Sequence, residues 1–525
     1  MDYKKFFKND IFVFFLFLLI FYGIFRYSES FNKGYNIVED NILIETNKSL
    51  ETTSFISVWD NQMKTELYSW NRFRPLWVIY LITTVEMFGF NLLLINIFTA
   101  LLCILTTFLL FKFCFNIGFN FSQSFLFALL TIIGPATILW TRNIDAEIIG
   151  MLMLSFMLFF LSKSIYSERH HFFYKFCFIF FLILTSLSKE SFLIVVPAVL
   201  FLYLFIYSQK NDITILKAIK NNYLIIIIGS ILFIIFIASL IKIVGINHEH
   251  RYSGVDLKLF SSKTISDFTI NIFSKNLFLL SLFAIFIILE NGFTKKYKFP
   301  SKSLKIVISL LFFMFIVIVP QFIIYYKTGI YERYYLPYLF GMSFTLIYLL
   351  KQVSEISIFL KYFFTTTVVV FLLLETFTVT IPLITNYSNE CKATTDVVNL
   401  IETNPGKKLL FVMDPVQNFW DAYKLKIYID FTEKDVIYFY DFIKRDYLHK
   451  NFADTVYYND LSRQSKRLSG KNLIDSLSDF SDLNEILVLW SLESKFKNEN
   501  KKWFNESEFK KKKFGNYTLY LKSQN

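Results

Sequence analysis

Apolar runs of about 20 residues recur along this chain, and they restrict its fold more than any other feature. A helix of about 20 residues is long enough to cross the hydrocarbon core of a bilayer. A soluble chain of 525 residues would instead divide into several cores with polar faces between them. The sequence therefore predicts a polytopic α-helical membrane protein. About eleven spans are predicted by this length rule, near residues 10–27, 91–114, 123–141, 144–163, 172–188, 190–208, 222–245, 276–291, 304–326, 334–350 and 361–384.

Two apolar stretches near the N-terminal end need separate interpretation. The first, 10–27, follows "MDYKKFFKND" and contains no small-residue cleavage site, which favours a retained first helix over a signal peptide. The second, 75–89, is too short to span, and it begins at Pro75 and ends at Gly89. We expect it to form a helix that lies at the membrane interface.

The loops between the apolar runs alternate in charge. Lysine and arginine concentrate in one alternating set of loops, and they account for the net charge of +12 better than a nucleic-acid partner does. The positive-inside rule places this set in the cytoplasm. The other set then faces outward: residues 28–74, 141–146, 186–191, 246–275 and the loop before the tenth span.

The chain becomes polar after residue 385. Four short runs are strand-like, with helical stretches between them: "KKLLFVMD", "DVIYFYDF", "EILVLW" and "YTLYLK". This pattern predicts a membrane domain over residues 1–385 and a small soluble α/β domain over residues 386–525. An odd number of spans places the second domain on the extracytoplasmic side. The lysine run 510–513 is interpreted as a solvated face.

Charged and polar residues collect in the outward loops. The first loop contains an acidic pair in "VEDN" and two arginines in "NRFRPL", and each later outward loop adds more. The candidate site residues are Glu39, Asp40, Arg72, Arg74, Asp145, Glu147, Lys189, Glu190, Arg251, Arg333 and Tyr334.

The order of these motifs resembles the GT-C superfamily of membrane glycosyltransferases, and its O-mannosyltransferase-like members in particular. The resemblance rests on "VEDN" after the first helix, on "RFRPLWVIYLITTVEMFGFNLLLINIFTALL", on "SLSKESFLIVVPAVLF" and on "ERYYLP". It covers most of residues 10–385 and implies a GT-C-like fold. Glu-Asp stands here where Asp-Asp is commoner in the family.

The resemblance implies an inverting glycosyltransferase that takes a sugar from a polyprenyl-phosphate carrier on the extracytoplasmic face. The composition and the absence of eukaryotic signals favour a bacterial inner membrane. The acceptor would be a lipid, a glycan or a protein. Asp40 would be the general base, with Glu39 as its partner in positioning or in binding a divalent cation such as Mg²⁺ or Mn²⁺. The remaining candidates would bind substrate, because arginine and lysine can hold the developing charge of the leaving phosphate.

Each motif also has an interpretation without function. The acidic pair can be a solvated turn, Asp145 and Glu147 can favour a helix N-terminus, and Lys189 and Glu190 can be a surface pair. The arginines can anchor the interface. His248 and His250 lack a third ligand, and the four cysteines form no CxxC pair, so neither set indicates a metal site.

Three other functions remain open from the sequence. A transporter or flippase would normally place ionisable residues at mid-membrane, whereas the carboxylates here lie at one interface. A lipid-linked glycan polymerase or ligase would lack the early acidic pair followed by the R-x-R-P segment. A scaffold would do its work through residues 387–525.

Overall fold

A computed structural model describes residues 10–36, 40–69, 72–244, 285, 301–325, 336–356, 358–402, 408–413, 437–441, 473–474, 483–489, 497, 506–514 and 517–522. The chain divides into two compact units. The first comprises Met1–Ser28, Thr53–Thr84 and Ile95–Ile384. The second comprises Glu29–Thr52, Val85–Leu94 and Thr385–Asn525.

Helices dominate the described part as far as residue 402. Their bounds are α1 Asp10–Tyr27, α2 Asn41–Thr52, α3 Phe55–Lys64, α4 Pro75–Phe88, α5 Leu92–Asn116, α6 Phe121–Ile132, α7 Ala146–Tyr166, α8 His171–Ser186, α9 Glu190–Leu193, α10 Val196–Asn211, α11 Ile215–Asn221, α12 Tyr223–Val244, α13 Ser301–Tyr325, α14 Leu336–Ile356, α15 Ile358–Glu375 and α16 Ile381–Glu402. Wide π-helical turns occupy Thr65–Ser69 and Thr376–Thr380.

Seven of the described helices are long and apolar enough to cross a membrane, and a bent pair would make eight. The chain is therefore an integral, polytopic helical membrane protein. Two of the predicted spans coincide with shorter apolar helices, His171–Ser186 and Lys305–Gln321. A third, 276–291, lies outside the described residues except at Ile285, so the number eleven stays a prediction.

The bent pair replaces what the sequence predicts as one straight span over 123–141. Helix α6 begins with a capping box, in which Asn120 and Gln123 each accept the other's backbone N–H. It ends before Gly134, whose φ of 146° suits only glycine. Pro135 then starts the 3₁₀ helix Pro135–Thr141 at an angle of 75° to α6. The 3₁₀ helix ends at Thr141, just before the turn that leads into α7 at Ala146.

Aromatic side chains fill the core of the first unit where α5, α6, α13 and α14 meet. Phe344 on α14 is fully buried, and its ring lies 6.0 Å from that of Phe113, 6.2 Å from Phe127 and 5.8 Å from Phe313. Two of these contacts are edge-to-face, the arrangement that the ring quadrupole favours.

A six-stranded sheet lies in the second unit, in the order β3-β2-β1-β4-β6-β5. The strands β1 to β4 are mutually parallel, and β6 pairs antiparallel with both β4 and β5. Four of the strands coincide with the four apolar runs of the sequence, whereas β3 and β5 were not predicted. Their bounds are β1 Lys408–Met413, β2 Ile437–Asp441, β3 Leu473–Ile474, β4 Leu483–Leu489, β5 Phe509–Phe514 and β6 Tyr517–Lys522. The domain boundary at 385 and the extracytoplasmic location stay predictions.

Reporter fusions test the membrane orientation. We expect fusions after residues 60, 260 and 400 to report an extracytoplasmic location, and fusions after residues 168, 215 and 298 to report the cytoplasm, because basic loops are retained inside. A cytoplasmic signal at residue 400 would contradict the predicted number of spans, and the predicted location of the C-terminal domain with it.

Candidate functional site

Three turns of the first unit meet at the start of α4, α7 and α9. The backbone N–H of Leu76 donates to the carbonyl oxygen of Leu187 at 3.2 Å. The indole N–H of Trp77 donates to the carbonyl oxygen of Ile144 at 2.9 Å. These bonds join the loop that ends in "NRFRPL" to the loops "TRNIDAE" and "SLSKES", which the sequence places on one face of the membrane.

Arg74 and Glu190 form a buried ion pair at this junction. The guanidinium Nε and Nη2 of Arg74 each lie 3.0 Å from Glu190 Oε2, and the other carboxylate oxygen accepts the backbone N–H of Phe73 at 3.3 Å. Their side chains are only 13% and 9% exposed. Two donors on one carboxylate fix the orientation of both partners, because the guanidinium fork is planar and rigid.

Lys189 and Glu147 form a second buried ion pair beside the first. The ammonium of Lys189 donates to Glu147 Oε1, and both side chains are about 95% buried. The sequence allowed Lys189 and Glu190 to be a surface pair. That alternative is wrong, because the two residues bind different partners and both are buried. Glu147 lies in the first turn of α7, where a negative charge is also favourable for the helix dipole.

Asp145 lies at the start of α7, as the helix-terminus alternative predicted. It occupies the N-cap position of α7 without a side-chain capping bond, and its Oδ2 lies 3.5 Å from Nη1 of Arg142. Nearby, the carbonyl oxygen of Asn143 accepts the hydroxyl of Thr99 at 3.4 Å. Asp145 thus belongs to the turn that presents Glu147.

Glu66 is a member of this site that sequence reasoning missed. It lies in the π-helical turn after α3 and is 4% exposed, and its Oε2 has no hydrogen-bond partner among the described residues. Its backbone carbonyl oxygen accepts the N–H of Arg72 at 2.8 Å. The only sequence signal is its position in the loop that closes with "NRFRPL"; nothing in the local pattern separates it from the exposed acids Glu51 and Asp60.

We call Glu66, Arg72, Arg74, Glu147, Lys189 and Glu190 the buried ion cluster. Burial raises the pKa of the Glu66 carboxyl above its ordinary value, although the positive charges of Arg74 and Arg72 oppose the shift. Burial disfavours the charged form of Arg74, but the carboxylates of Glu190 and Glu66 outweigh it and raise the pKa of the guanidinium. Arg74 is therefore charged, whereas burial favours the protonated form of Glu66 more than in a solvated glutamate.

Asp40 lies in the second unit, immediately before α2. Its carboxylate Oδ2 accepts the backbone N–H of Asn36 at 2.7 Å, and its own N–H donates to the carbonyl oxygen of Asn36 at 3.0 Å. Asp40 is 1% exposed, so it is not the solvated turn residue that the alternative interpretation of the acidic pair assumed. A carboxylate buried to this degree requires compensating polar partners.

The surroundings of Asp40 are polar and closely packed. Lys33 is fully buried, and its ammonium lies 5.5 Å from the centre of the Tyr387 ring on α16. The charges of Lys33 and Asp40 both act on the thiol of Cys391, which also lies 3.7 Å from Nδ2 of Asn36. Lys33 thus adds a buried positive charge to the surroundings that Asp40 shares with Cys391.

The turn that carries these residues is held against α16. Tyr35 donates its backbone N–H to the hydroxyl oxygen of Thr395 at 2.7 Å, and its own hydroxyl donates to Asn41 Oδ1. Gly34 has a φ of +82°, and a Cβ added there would lie 2.1 Å from the Thr395 hydroxyl oxygen. Only glycine fits this close approach.

The predicted metal pair is not complete in the described part, because Glu39 lies outside it. Among the described residues, no group of three or more His, Cys, Asp or Glu side chains is placed to hold a metal ion. The divalent cation stays a prediction. Arg251, Arg333, Tyr334, His248 and His250 also lie outside the described residues.

Of the eleven predicted site residues, the structure describes seven. It brings five of them together in the buried ion cluster and places Asp145 in the turn beside it, within the first unit. Asp40 belongs to the second unit.

The search of solved structures finds ArnT from Cupriavidus metallidurans, in one structure bound to undecaprenyl phosphate and in another in the apo state. The sequence identities are 10% and 9%; in both cases the TM-score is 0.50, and the match covers 96% of this chain and 97% of ArnT. The likeness supports the GT-C fold that the sequence resemblance implied. No family model matches the chain, and no match was found among curated proteins.

Proposed function

We propose that this protein is a membrane glycosyltransferase that moves a sugar from a polyprenyl-phosphate carrier to a lipid, glycan or protein acceptor on the extracytoplasmic face. The observation that carries the proposal is the likeness of nearly the whole chain to a protein whose structure contains undecaprenyl phosphate. The buried ion cluster supports it, because a transporter site would be expected at mid-membrane, whereas Glu147, Lys189 and Glu190 lie at the starts of α7 and α9.

In this proposal Asp40 is the general base. The acceptor hydroxyl must lose a proton as its oxygen attacks the anomeric carbon, and a carboxylate within hydrogen-bond reach can take that proton. The bond from Asn36 N–H to Oδ2 fixes the orientation of the carboxylate. The sugar–phosphate bond breaks on the opposite face of the ring, so the anomeric configuration inverts.

The leaving phosphate requires positive charge, not a strong acid. Arginine and lysine side chains hold such charge as it develops. Arg74 and Lys189 are each bound to a carboxylate, which keeps them charged and oriented before a ligand arrives. We assign Arg72, Arg74, Asp145, Glu147, Lys189 and Glu190 to substrate binding and its support, together with Arg251, Arg333 and Tyr334 from outside the described residues. No step of this mechanism uses a metal ion.

A reconstituted transfer assay tests the proposal. Purified protein in liposomes receives a polyprenyl-phosphate-linked sugar, and mass spectrometry follows release of the free polyprenyl phosphate and glycosylation of a membrane extract from a deletion strain. We expect both the release and the glycosylation when the wild-type protein is present, and neither when it is omitted. A deletion strain whose lipid-linked and surface glycans are unchanged, combined with no release in vitro, would contradict the proposal.

Arg333 provides a graded test of phosphate binding. A positive charge just before a helix is mildly unfavourable unless an anion binds there as well, and Arg333 lies three residues before α14. We expect Arg333→Lys to weaken activity and Arg333→Ala nearly to abolish it, because lysine keeps the charge but loses the two-pronged donor geometry. Binding of undecaprenyl phosphate to the purified variants should fall in the same order. If Arg333→Ala binds normally but unfolds at lower temperature, the residue is structural.

A further inference from the structure

Glu66 differs from the other acids of the buried ion cluster. Glu190 is bound by Arg74 and Glu147 by Lys189, whereas no residue in the described part of the chain bonds to the buried Oε2 of Glu66. A buried carboxylate oxygen that makes no hydrogen bond is costly, so a ligand that bonds to this oxygen would remove the cost. The π-helical turn that positions Glu66 is itself a local irregularity of the kind often found at functional sites.

The charged side chains around Glu66 indicate the charge of that ligand. The side chains that act electrostatically on Glu66 belong to Arg74, Arg72, Glu190 and Lys189. With Glu147 included, the cluster holds three cationic and three anionic side chains, so it is neutral when Glu66 is ionised and carries one positive charge when Glu66 is protonated. An anion is therefore accepted more readily after Glu66 has taken up a proton.

We propose that Glu66 takes up one proton from solvent when a phosphate group binds at the buried ion cluster, and that the protonated carboxyl donates a hydrogen bond to a phosphate oxygen. This inference rests on the proposed function, because the phosphate is that of the polyprenyl carrier. An ionised Glu66 would repel the phosphate at short range. The neutral acid instead donates its O–H to a phosphate oxygen, which gives Oε2 a hydrogen bond that it does not make in the ligand-free protein. Burial raises the pKa of the Glu66 carboxyl and so favours the neutral acid that donates this bond.

The sign of the pH dependence follows from the linkage. Binding that takes up a proton weakens as pH rises above the pKa of the free carboxyl, by up to about tenfold per pH unit. Glu66→Gln should remove the part of the pH dependence that comes from this proton uptake, because the amide is uncharged at every pH and still donates a hydrogen bond. The monoester phosphate of the ligand titrates near pH 6 by itself, so the informative quantity is the difference between wild type and variant.

Calorimetric titration of the purified full-length protein with undecaprenyl phosphate in detergent tests this. Measured from about pH 5 to about pH 8, and in buffers of different ionisation enthalpy, it yields both the affinity and the protons taken up. We expect the wild type to take up more protons than Glu66→Gln, and the variant to bind more tightly than wild type at the alkaline end. Asp60→Asn, an acid-to-amide change at an exposed residue of α3, is the matched control and should behave as wild type.

The failures are distinguishable. Equal proton uptake by wild type and Glu66→Gln, with normal binding by both, would overturn the role of Glu66 alone. Absence of binding by the wild type at every pH would overturn the proposed function and this inference with it. Weaker binding by Glu66→Gln at every pH would overturn the inference, because it would show that the ionised carboxylate is required.

Discussion

Asp40→Asn should reduce the rate of sugar transfer by at least about 100-fold, at the lower end of what loss of a general base costs. The amide keeps the shape of the carboxylate, and its oxygen can still accept the N–H of Asn36. The turn before α2 should therefore survive, and the variant should insert and fold normally. The measurement is single-turnover transfer by purified variants in liposomes, with thermal unfolding followed in parallel.

The control for this prediction is Glu51→Gln. Glu51 is an exposed acid on α2 that accepts a hydrogen bond from Asn47, and its change to the amide should leave the rate unchanged. Glu39→Gln should cost less than Asp40→Asn. Near-normal transfer by Asp40→Asn would show that the buried carboxylate is structural and that another group takes the proton.

The spans were predictable because their signal is local. A run of about 20 apolar residues is visible without knowledge of any partner, and six of the seven described spans match a predicted one within a few residues. The seventh, Ile358–Val397, extends well beyond the predicted 361–384. The bend was missed although "GP" at 134–135 is a local breaker signal, because the apolar run continues across it. The edge strand β5 was missed because four consecutive lysines suggest a solvated surface. Their side chains are indeed exposed, and pairing with β6 defines the strand.

The sequence predicted the site only as a set of residue types in the loops expected to face outward. The motifs identified Arg74 and Glu190, but not that they bind each other across 116 positions of sequence. The burial of Glu66 depends on the packing of turns that are distant in the sequence, so the sequence around Glu66 does not indicate it. Resemblance supplied the interpretation that the residues alone left open, since an acid in an outward loop is usually solvated.

The largest effect on stability is expected when the pair of Lys189 and Glu147 is broken on one side. Lys189→Met should lower the free energy of unfolding by about 3–5 kcal/mol, because it removes the ammonium that pairs with a buried carboxylate. Lys112→Met is the control: Lys112 pairs with Asp10 at 2.7 Å, but Asp10 is 57% exposed. An ion pair with such solvent access should cost at most about 1 kcal/mol to remove.

The double variant Lys189→Met, Glu147→Leu separates stability from function. Replacing a buried ion pair by apolar residues of similar volume is often neutral or stabilising, so the double variant should recover most of the stability that Lys189→Met loses. If the pair also prepares the site for a phosphate, the recovered protein should remain defective in binding undecaprenyl phosphate. Thermal unfolding in detergent and ligand titration of the three variants test both points. A double variant that is stable and binds normally would assign the pair to the fold alone, and the substrate-binding role of Lys189 would be wrong.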